Sequence, residues 1–315
     1  MKQVNFQRCA GFSLIEIMLA LVLGSFVVGG VLSIFVFSKR SYTINELNAR
    51  LQENGRAALS TLQDDLRHVN FWGTLLRVSE IDTFPALDGT CATWASSVND
   101  RFVGSDDPRT DSPFADEGCL ETSDVKDGTS AVAIKRVGLS SVAYATDLAT
   151  GDIFLRTHSA SGAMLEKGVT ASAAPAAGSG LADWLYEPRI YFIRPYANTS
   201  GDGVPTLCRV QNNPTLSVQP LVEGIEDMDI VYGIDTTGNG VPDAYDANPS
   251  SGEMEDVVAA QIYLLVRDVE ADPSYTNTNG YALGSRNVGP FNDSFHRAVF
   301  STTVIPLNQR TVVVK

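Results

Sequence analysis

Histidine is scarce in this chain of 315 residues: His68, His158 and His296 are the only three. No two of them stand at metal-ligand spacing and no cysteine pair falls in a zinc pattern, so a zinc centre is excluded. Also absent are a Gly-x-Ser-x-Gly elbow, a His-Glu-x-x-His pair and a phosphate-binding glycine loop, which removes the common hydrolytic and nucleotide-dependent chemistries. Acidic pairs such as Asp64-Asp65 and Asp106-Asp107 are adjacent in sequence, point apart on a helix or a strand, and read as solvated surface. An enzyme is therefore not expected. Basic residues are outnumbered as well, 23 against 37 acidic, for a net charge of −14. Such a surface solubilises a head and lacks the basic footprint that nucleic acid requires.

Charge is missing altogether from Ile17 to Ser38. These 22 residues, at about 1.5 Å rise each, cross the roughly 30 Å hydrocarbon core of a bilayer as a helix. A conventional secretory signal has a shorter apolar stretch and a small-x-small cleavage site; this run is longer and ends in Lys39-Arg40. A lipoprotein is excluded because Cys9 precedes the apolar segment. Lys2 and Arg8 on one side balance Lys39 and Arg40 on the other, so basic residues do not fix the orientation. Glu16, at the very start of the run, is the anomaly. A lone carboxylate there costs roughly 2.5 kcal/mol or more to bury, which marks it as functional.

From Ser41 to His68 the residues Ile44, Leu47, Leu51, Ala58, Leu62 and Leu66 recur at three- and four-residue steps, with Gln52, Glu53, Arg56, Gln63 and Arg67 between them. This is the pattern of a half-buried helix. Joined to the apolar run it predicts one helix from Phe12 to about Asn70, with Gly29-Gly30 and Gly55 as weak points. Beyond Trp72 the period shortens. Ala131–Val137, Asp152–Thr157, Arg189–Arg194, Ile225–Tyr232, Val257–Arg267 and Phe295–Ile305 are rich in Val, Ile, Tyr and Phe and are separated by Gly, Asn, Pro and Asp clusters. They predict an antiparallel sheet laid against the helix, an α+β fold. The Ala/Ser/Gly/Pro tract Ala171–Gly180 reads as a loop or linker without chemistry.

Two loops echo each other, Gly201-Asp202-Gly203-Val204-Pro205 and Gly238-Asn239-Gly240-Val241-Pro242. The second lies in a frame similar to an EF-hand-type loop, with Asp235, Thr237, Asn239, Val241 through its carbonyl, Asp243 and Asp246 as candidate calcium ligands and Gly240 at the sharp turn. Thr237 stands where an acid is usual and Asp246 where a bidentate Glu is usual, and no helix pattern flanks the loop. A polar turn between strands fits the same residues. No cofactor is required, and calcium is the one ion whose spacing is present.

The run Gly11-Phe12-Ser13-Leu14-Ile15-Glu16 behind a short basic leader resembles the class III signal of type IV pilins and of type II secretion pseudopilins. Farther on, Gly203-Val204-Pro205-Thr206-Leu207-Cys208-Arg209, Pro220-Leu221-Val222-Glu223-Gly224-Ile225-Glu226-Asp227-Met228 running into Val231–Asp235, and Phe300-Ser301-Thr302-Thr303-Val304 are similar to the PilW family of minor pilins. The resemblance implies a pilin-like architecture: a leader 1–11 removed by prepilin peptidase between Gly11 and Phe12, N-methylation of Phe12, a membrane and filament-core helix 12–38, an amphipathic stalk 39–72 and a β-rich head 73–315 outside the inner membrane. It implies that Glu16 meets the terminal amine of a neighbouring subunit, where two charges costly alone become tolerable as a pair. Partners would be other minor pilins, the major pilin and a large tip adhesin, in a non-catalytic role that primes pilus assembly. The J-type pseudopilin of a type II secretion system is the alternative with the same architecture, and a membrane-anchored calcium-binding adhesin is a more distant one.

Loss of the leader would remove Cys9, Lys2 and Arg8, leaving Cys91, Cys119 and Cys208 in an oxidising compartment. One disulfide closing the irregular segment between Cys91 and Cys119 is the natural pairing, with Cys208 left over; counting alone admits the other pairings. Residues 75–125 suggest no role.

Overall fold

The structure is a computed structural model that describes residues 11–309 except 76, 82–83, 86–90, 112, 116–117, 159–160, 170, 172, 177 and 213–215. Lys2, Arg8 and Cys9 lie outside the described residues. The chain divides into two units, Met1–Arg50 and Leu51–Lys315.

Helix α1 runs from Leu14 to Arg67 without a break, 54 residues or about 80 Å. In the first unit its apolar side chains are exposed, from Leu14 at 77% to Phe37 at 74%. By length and composition this helix can cross a membrane. In the second unit the three- and four-residue spacing buries Leu51, Ala58, Leu62 and Leu66. Gly55 belongs to that stripe for a reason the sequence pattern did not disclose. A Cβ there would stand 2.6 Å from the Phe300 ring, so this glycine is a point of close approach and not a weak point. The helix ends at Arg67, three residues before the expected Asn70, which sits at φ 62° in the left-handed region. The Asn70 amide side chain donates to Asn308 O at 3.0 Å and accepts from Trp72 Nε1 at 2.8 Å, holding the chain in that turn.

The single sheet expected from the sequence is two sheets and a hairpin. The larger has seven strands: β1 (Phe102–Ser105), β2 (Ala131–Val137), β3 (Ile153–His158), β4 (Ser161–Glu166), β5 (Leu181–Arg194), β6 (Thr206–Asn212) and β7 (Leu216–Glu223), in the order β1-β2-β5-β3-β4 with β6 pairing β5 and β7. The smaller has the order β13-β10-β8-β9, from β8 (Ile225–Ile234), β9 (Ala244–Asp246), β10 (Val257–Arg267) and β13 (Arg297–Val304). Strands β11 (Tyr281–Leu283) and β12 (Arg286–Val288) make the separate hairpin. All strand pairs are antiparallel. Strand β5 is eight residues longer at its start than the sequence suggested, because Pro188 reads as a strand breaker. It is tolerated opposite Lys135 of β2.

The main core forms where residues 51–69 meet both sheets. Leu51, Leu62 and Leu66 pack with Val132, Ile134, Tyr191 and Leu207 of the larger sheet and with Met228, Ile230, Ile262 and Leu264 of the smaller. The alternate residues Ala131, Ala133, Ile190, Phe192 and Val210 face the other side of the larger sheet, where Cys91, Trp94, Phe114 and Cys119 cover them. Among the described residues of 91–125, Cys91, Trp94, Phe114, Cys119 and Leu120 thus form a lid on that face, and the segment contains a one-turn helix, Ala92–Ala95, as well as β1 of the sheet itself. A buried Lys135 fastens the lid. Its Nζ donates to Ser97 O at 3.2 Å and to Asn99 O and lies 4.6 Å over the Trp94 ring. The alanine-rich tract is also tied down, with Ala171 buried and its carbonyl accepting from Tyr144.

Candidate functional site

The N-terminal motif lies where α1 begins. Residues 11–13 are not helical; α1 begins at Leu14, and Ser13 O accepts from Glu16 N at 3.0 Å and Ile17 N at 3.2 Å. The Gly11-Phe12 bond therefore lies in exposed, irregular backbone one residue before the first turn, with Phe12 78% exposed. Glu16 lies in the first turn, where a carboxylate is favoured by the helix dipole.

In the second unit the polar residues of the head are mostly committed to its own architecture. Asp65, placed by sequence on a solvated face, is buried. Its carboxylate accepts from Arg136 Nη2 at 2.8 Å, from Arg189 Nη1 at 2.5 and 2.7 Å, and from the Tyr191 hydroxyl. Glu187 closes the ring against Arg136 at 2.6 Å and Arg189 at 3.1 Å. Burial alone would raise the Asp65 carboxyl, yet Arg189 and Arg136 outweigh it and hold the group below the ordinary range, while burial and the Asp65 charge push Tyr191 up. Sequence spacing could not reveal this, because the partners lie 71 to 126 residues away.

The acidic run of β8 is equally occupied. Glu226 accepts from Arg297 Nη2 at 3.0 Å, Asp227 from Arg286 at 2.5 Å, and Asp229 from Ser285 N at 2.6 Å. Gly224, before that run, has φ 79° and lies so close to β10 that a Cβ would be 2.6 Å from Arg267 O. Replacing Gly224 by Ala is expected to destabilise the head by about 2 kcal/mol or more, through strain and this contact. A denaturant titration checks this, and an unchanged midpoint would refute the contact.

The two echoing loops share a device. The Asp202 carboxylate accepts from the backbone N–H of Ala197, Asn198, Thr199 and Val204. These amides hold its carboxyl far below the ordinary range. Asp235 does the same for Thr237, Gly238, Asn239 and Gly240. Of the six candidate calcium ligands, Asp243 joins this turn through Thr236 Oγ1 and Thr237 N, both at 3.0 Å, and Asn239 accepts from Val241 N at 2.8 Å. Asp246 instead lies in β9 opposite Tyr232 and accepts from Asn248 N. Among the described residues no three His, Cys, Asp or Glu side chains come close enough to hold a metal ion. An Asp235 already satisfied by amides predicts equal melting points of the head in calcium, magnesium and chelator. A calcium-specific rise, about 1.4 kcal/mol at ten times Kd, that is lost in Asp235→Ala/Asp243→Ala would instead assign the loop to the ion.

Cys91 and Cys119 form a disulfide with Cα atoms 4.3 Å apart, and Cys208 is a buried free thiol.

Residues 6–32 match the prokaryotic N-terminal methylation motif. Residues 190–308 match the family described as Type IV Pilus-assembly protein W. A type IV-like pilin from Thermus thermophilus is a similar solved structure, at 14% identity over 59% of this chain and 83% of that one, with a TM-score of 0.27. No curated protein matches the chain. The motif at the head of an apolar helix, together with the pilus-assembly region, defines a type IV pilin-like protein. The region similar to the PilW family runs from the middle of β5 to just past β13. That region holds Gly224, both amide-caged aspartates and the acids of β8.

Proposed function

We propose that this chain is a non-catalytic subunit of a type IV pilus that joins other minor pilins, primes polymerisation of the major pilin and forms part of the tip complex. The observation that carries the reading is the conjunction, in one chain, of the methylation motif at residues 6–32 and the PilW region at 190–308. In this reading residues 1–11 are the leader, prepilin peptidase cuts before Phe12 and methylates it, 12–38 span the inner membrane, 39–72 continue the stalk, and 73–315 form a head on the periplasmic side. Glu16 then pairs with the amine of an adjacent subunit, an ion pair whose members are each too costly alone in hydrocarbon. A tip adhesin is the most distal partner.

The test is made in cells lacking the native copy. N-terminal sequencing of the membrane fraction is expected to begin at N-methylated Phe12, and Met1 in cells with active prepilin peptidase would overturn the processing. Glu16→Ala is expected to reach the membrane at wild-type abundance and to be lost from co-purified pilins and from piliation. Wild-type piliation by that variant would overturn the pairing.

A further inference from the structure

Among the described residues the two sheets end on the edge strands β1, β4, β7, β9 and β13, and all but the last are protected. The four residues of β1 are buried, β4 is bridged at Gly162 by Ile81, β7 carries Pro220 and a shift of register against β6, and β9 is three residues long. These are the usual means by which an edge is kept from pairing. Strand β13 has none of them. It is eight residues long, keeps an unbroken register with β10, and has no proline, no lysine and no charge from Ala298 to Ile305. Among the described residues nothing pairs with its other side.

The neighbouring bonds fix which backbone groups are free. Arg267 N donates to Gly224 O at 2.8 Å and Asp268 N to His296 O at 3.0 Å, so odd-numbered residues of β10 turn their backbone to β8 and even-numbered ones to β13. In the register of this pair, Ala298, Phe300, Thr302 and Val304 are bonded to β10, and the N–H and C=O of Val299, Ser301 and Thr303 point outward. Phe300 and Val304 face the main core, so the side chains of Val299, Ser301 and Thr303 stand exposed on the outer face. Helix α1 runs alongside the strand. Gly55 lies against the Phe300 ring, and farther on Arg67 O accepts from Leu307 N at 2.9 Å. Leu59, one turn beyond Gly55 on the same face, and Phe300 are only partly buried, and Ile305 at 65% and Leu307 at 56% are exposed. The open edge thus borders an apolar strip.

We propose that β13 is a docking edge that takes an extended, uncharged segment of a partner protein as an added strand. A ladder of free N–H and C=O groups at strand spacing is satisfied in full by another strand. Bonds to Val299, Ser301 and Thr303 hold the segment, and its alternate apolar side chains lie over Phe300 and Leu59. The missing charge selects the partner: neither an acidic nor a basic segment finds a counter-ion between Ala298 and Ile305, and the net charge of −14 repels the acidic one. The inference rests on the sheet edge and not on the pilin reading.

The probe is an end-blocked, fluorescein-labelled heptapeptide of alternating Thr and Val, titrated against the full chain in detergent. Saturable binding is expected, with at least a tenfold loss of affinity when the peptide is N-methylated throughout, which keeps its side chains and removes its donors. Ser301→Pro is expected to lose tenfold or more as well. It deletes an outward N–H that the fold does not use, so an edge strand tolerates it, and an unchanged denaturation midpoint shows that the head is folded. In a second measurement Ser301→Cys is expected to form a disulfide with a peptide carrying a central Cys, because cross-strand pairs lie within disulfide reach, and Tyr245→Cys, exposed on β9, is not. No binding by the native chain, binding unchanged by N-methylation or by Ser301→Pro, or equal cross-linking of Tyr245→Cys would each overturn the docking edge. Ser301→Cys chains that cross-link mainly to one another would give the edge to a second copy, and binding that appears only once residues 310–315 are removed would give it to this chain's own C-terminus. Either result overturns the partner strand.

Discussion

Asp65→Ala is expected to lower the stability of the head by about 3–5 kcal/mol, the largest single-residue effect in the chain. The variant leaves Arg136 and Arg189 buried beside each other with only Glu187 between them, and removes the acceptor of the Tyr191 hydroxyl. For a unit of this size the loss corresponds to a fall of roughly 10 °C in Tm. The native network also carries a pH signature. Because Asp65 has its carboxyl lowered on folding, its contribution is present above the ordinary aspartate range and is lost as pH falls through the folded value. Asp65→Asn is expected to lose that acid dependence while keeping the volume. Replacement of the whole set by apolar residues of similar size, Asp65→Leu with Arg136→Met, Arg189→Met and Tyr191→Phe, is expected to cost far less than Asp65→Ala. A denaturant titration of all three decides the matter. If Asp65→Ala unfolds at the native midpoint, the cluster holds no uncompensated charge and the account of how residues 51–67 are fixed to β2 and β5 fails.

The contrast between Asp64 and Asp65 shows how far the sequence could be read. A helical stripe identifies Leu51, Ala58, Leu62 and Leu66 because burial of apolar groups repeats with the helix period, and the structure places all four in the core. A buried carboxylate has no periodic signature. Its environment is set by Arg136, Arg189 and Tyr191, which reach it only after β2 and β5 pair. The same limit explains the strands. β2, β8 and β10 are rich in Val, Ile, Leu and Tyr and were legible, whereas β6, β7 and β9 are short, mixed or proline-bearing and gain their identity from neighbours. The acids of β8 stood in plain view as Glu226-Asp227-Met228-Asp229, yet alternation places them on a solvated face. The hairpin that covers them starts about fifty residues later. By contrast the N-terminal motif is legible without any structure, because it is local in the chain: Gly11 and Phe12 in irregular backbone, then one carboxylate at the head of an apolar helix.

Removing the disulfide with Cys91→Ser/Cys119→Ser is expected to cost about 3–4 kcal/mol. The bridge closes a loop with a sequence separation of 28 residues, and the loop-closure entropy it removes from the unfolded chain is of that size. The loop is the lid over one face of the larger sheet, so the cost should be local as well as global. Trp94, Phe114 and Leu120 leave the buried cluster that also contains Phe192 and Val210 when the lid lifts. Lys135 and the Tyr186 hydroxyl, which donates to Ala95 O at 2.9 Å, hold the lid by other means, so the fold should persist at room temperature with a lowered midpoint. Cys208 lies in the same cluster as the bridge and raises the question of exchange. Thiol exchange needs a thiolate, and burial pushes the Cys208 thiol up to about 11, so it is inert while the head is folded. Alkylation of the native protein with iodoacetamide should therefore leave Cys208 unmodified, and alkylation in denaturant without reductant should modify Cys208 but neither Cys91 nor Cys119. In the double serine variant Cys208 should become reactive as the lid opens. Rapid labelling of Cys208 in the native protein, or a double variant as stable as the native chain, would show that the bridge does not hold the lid on the sheet.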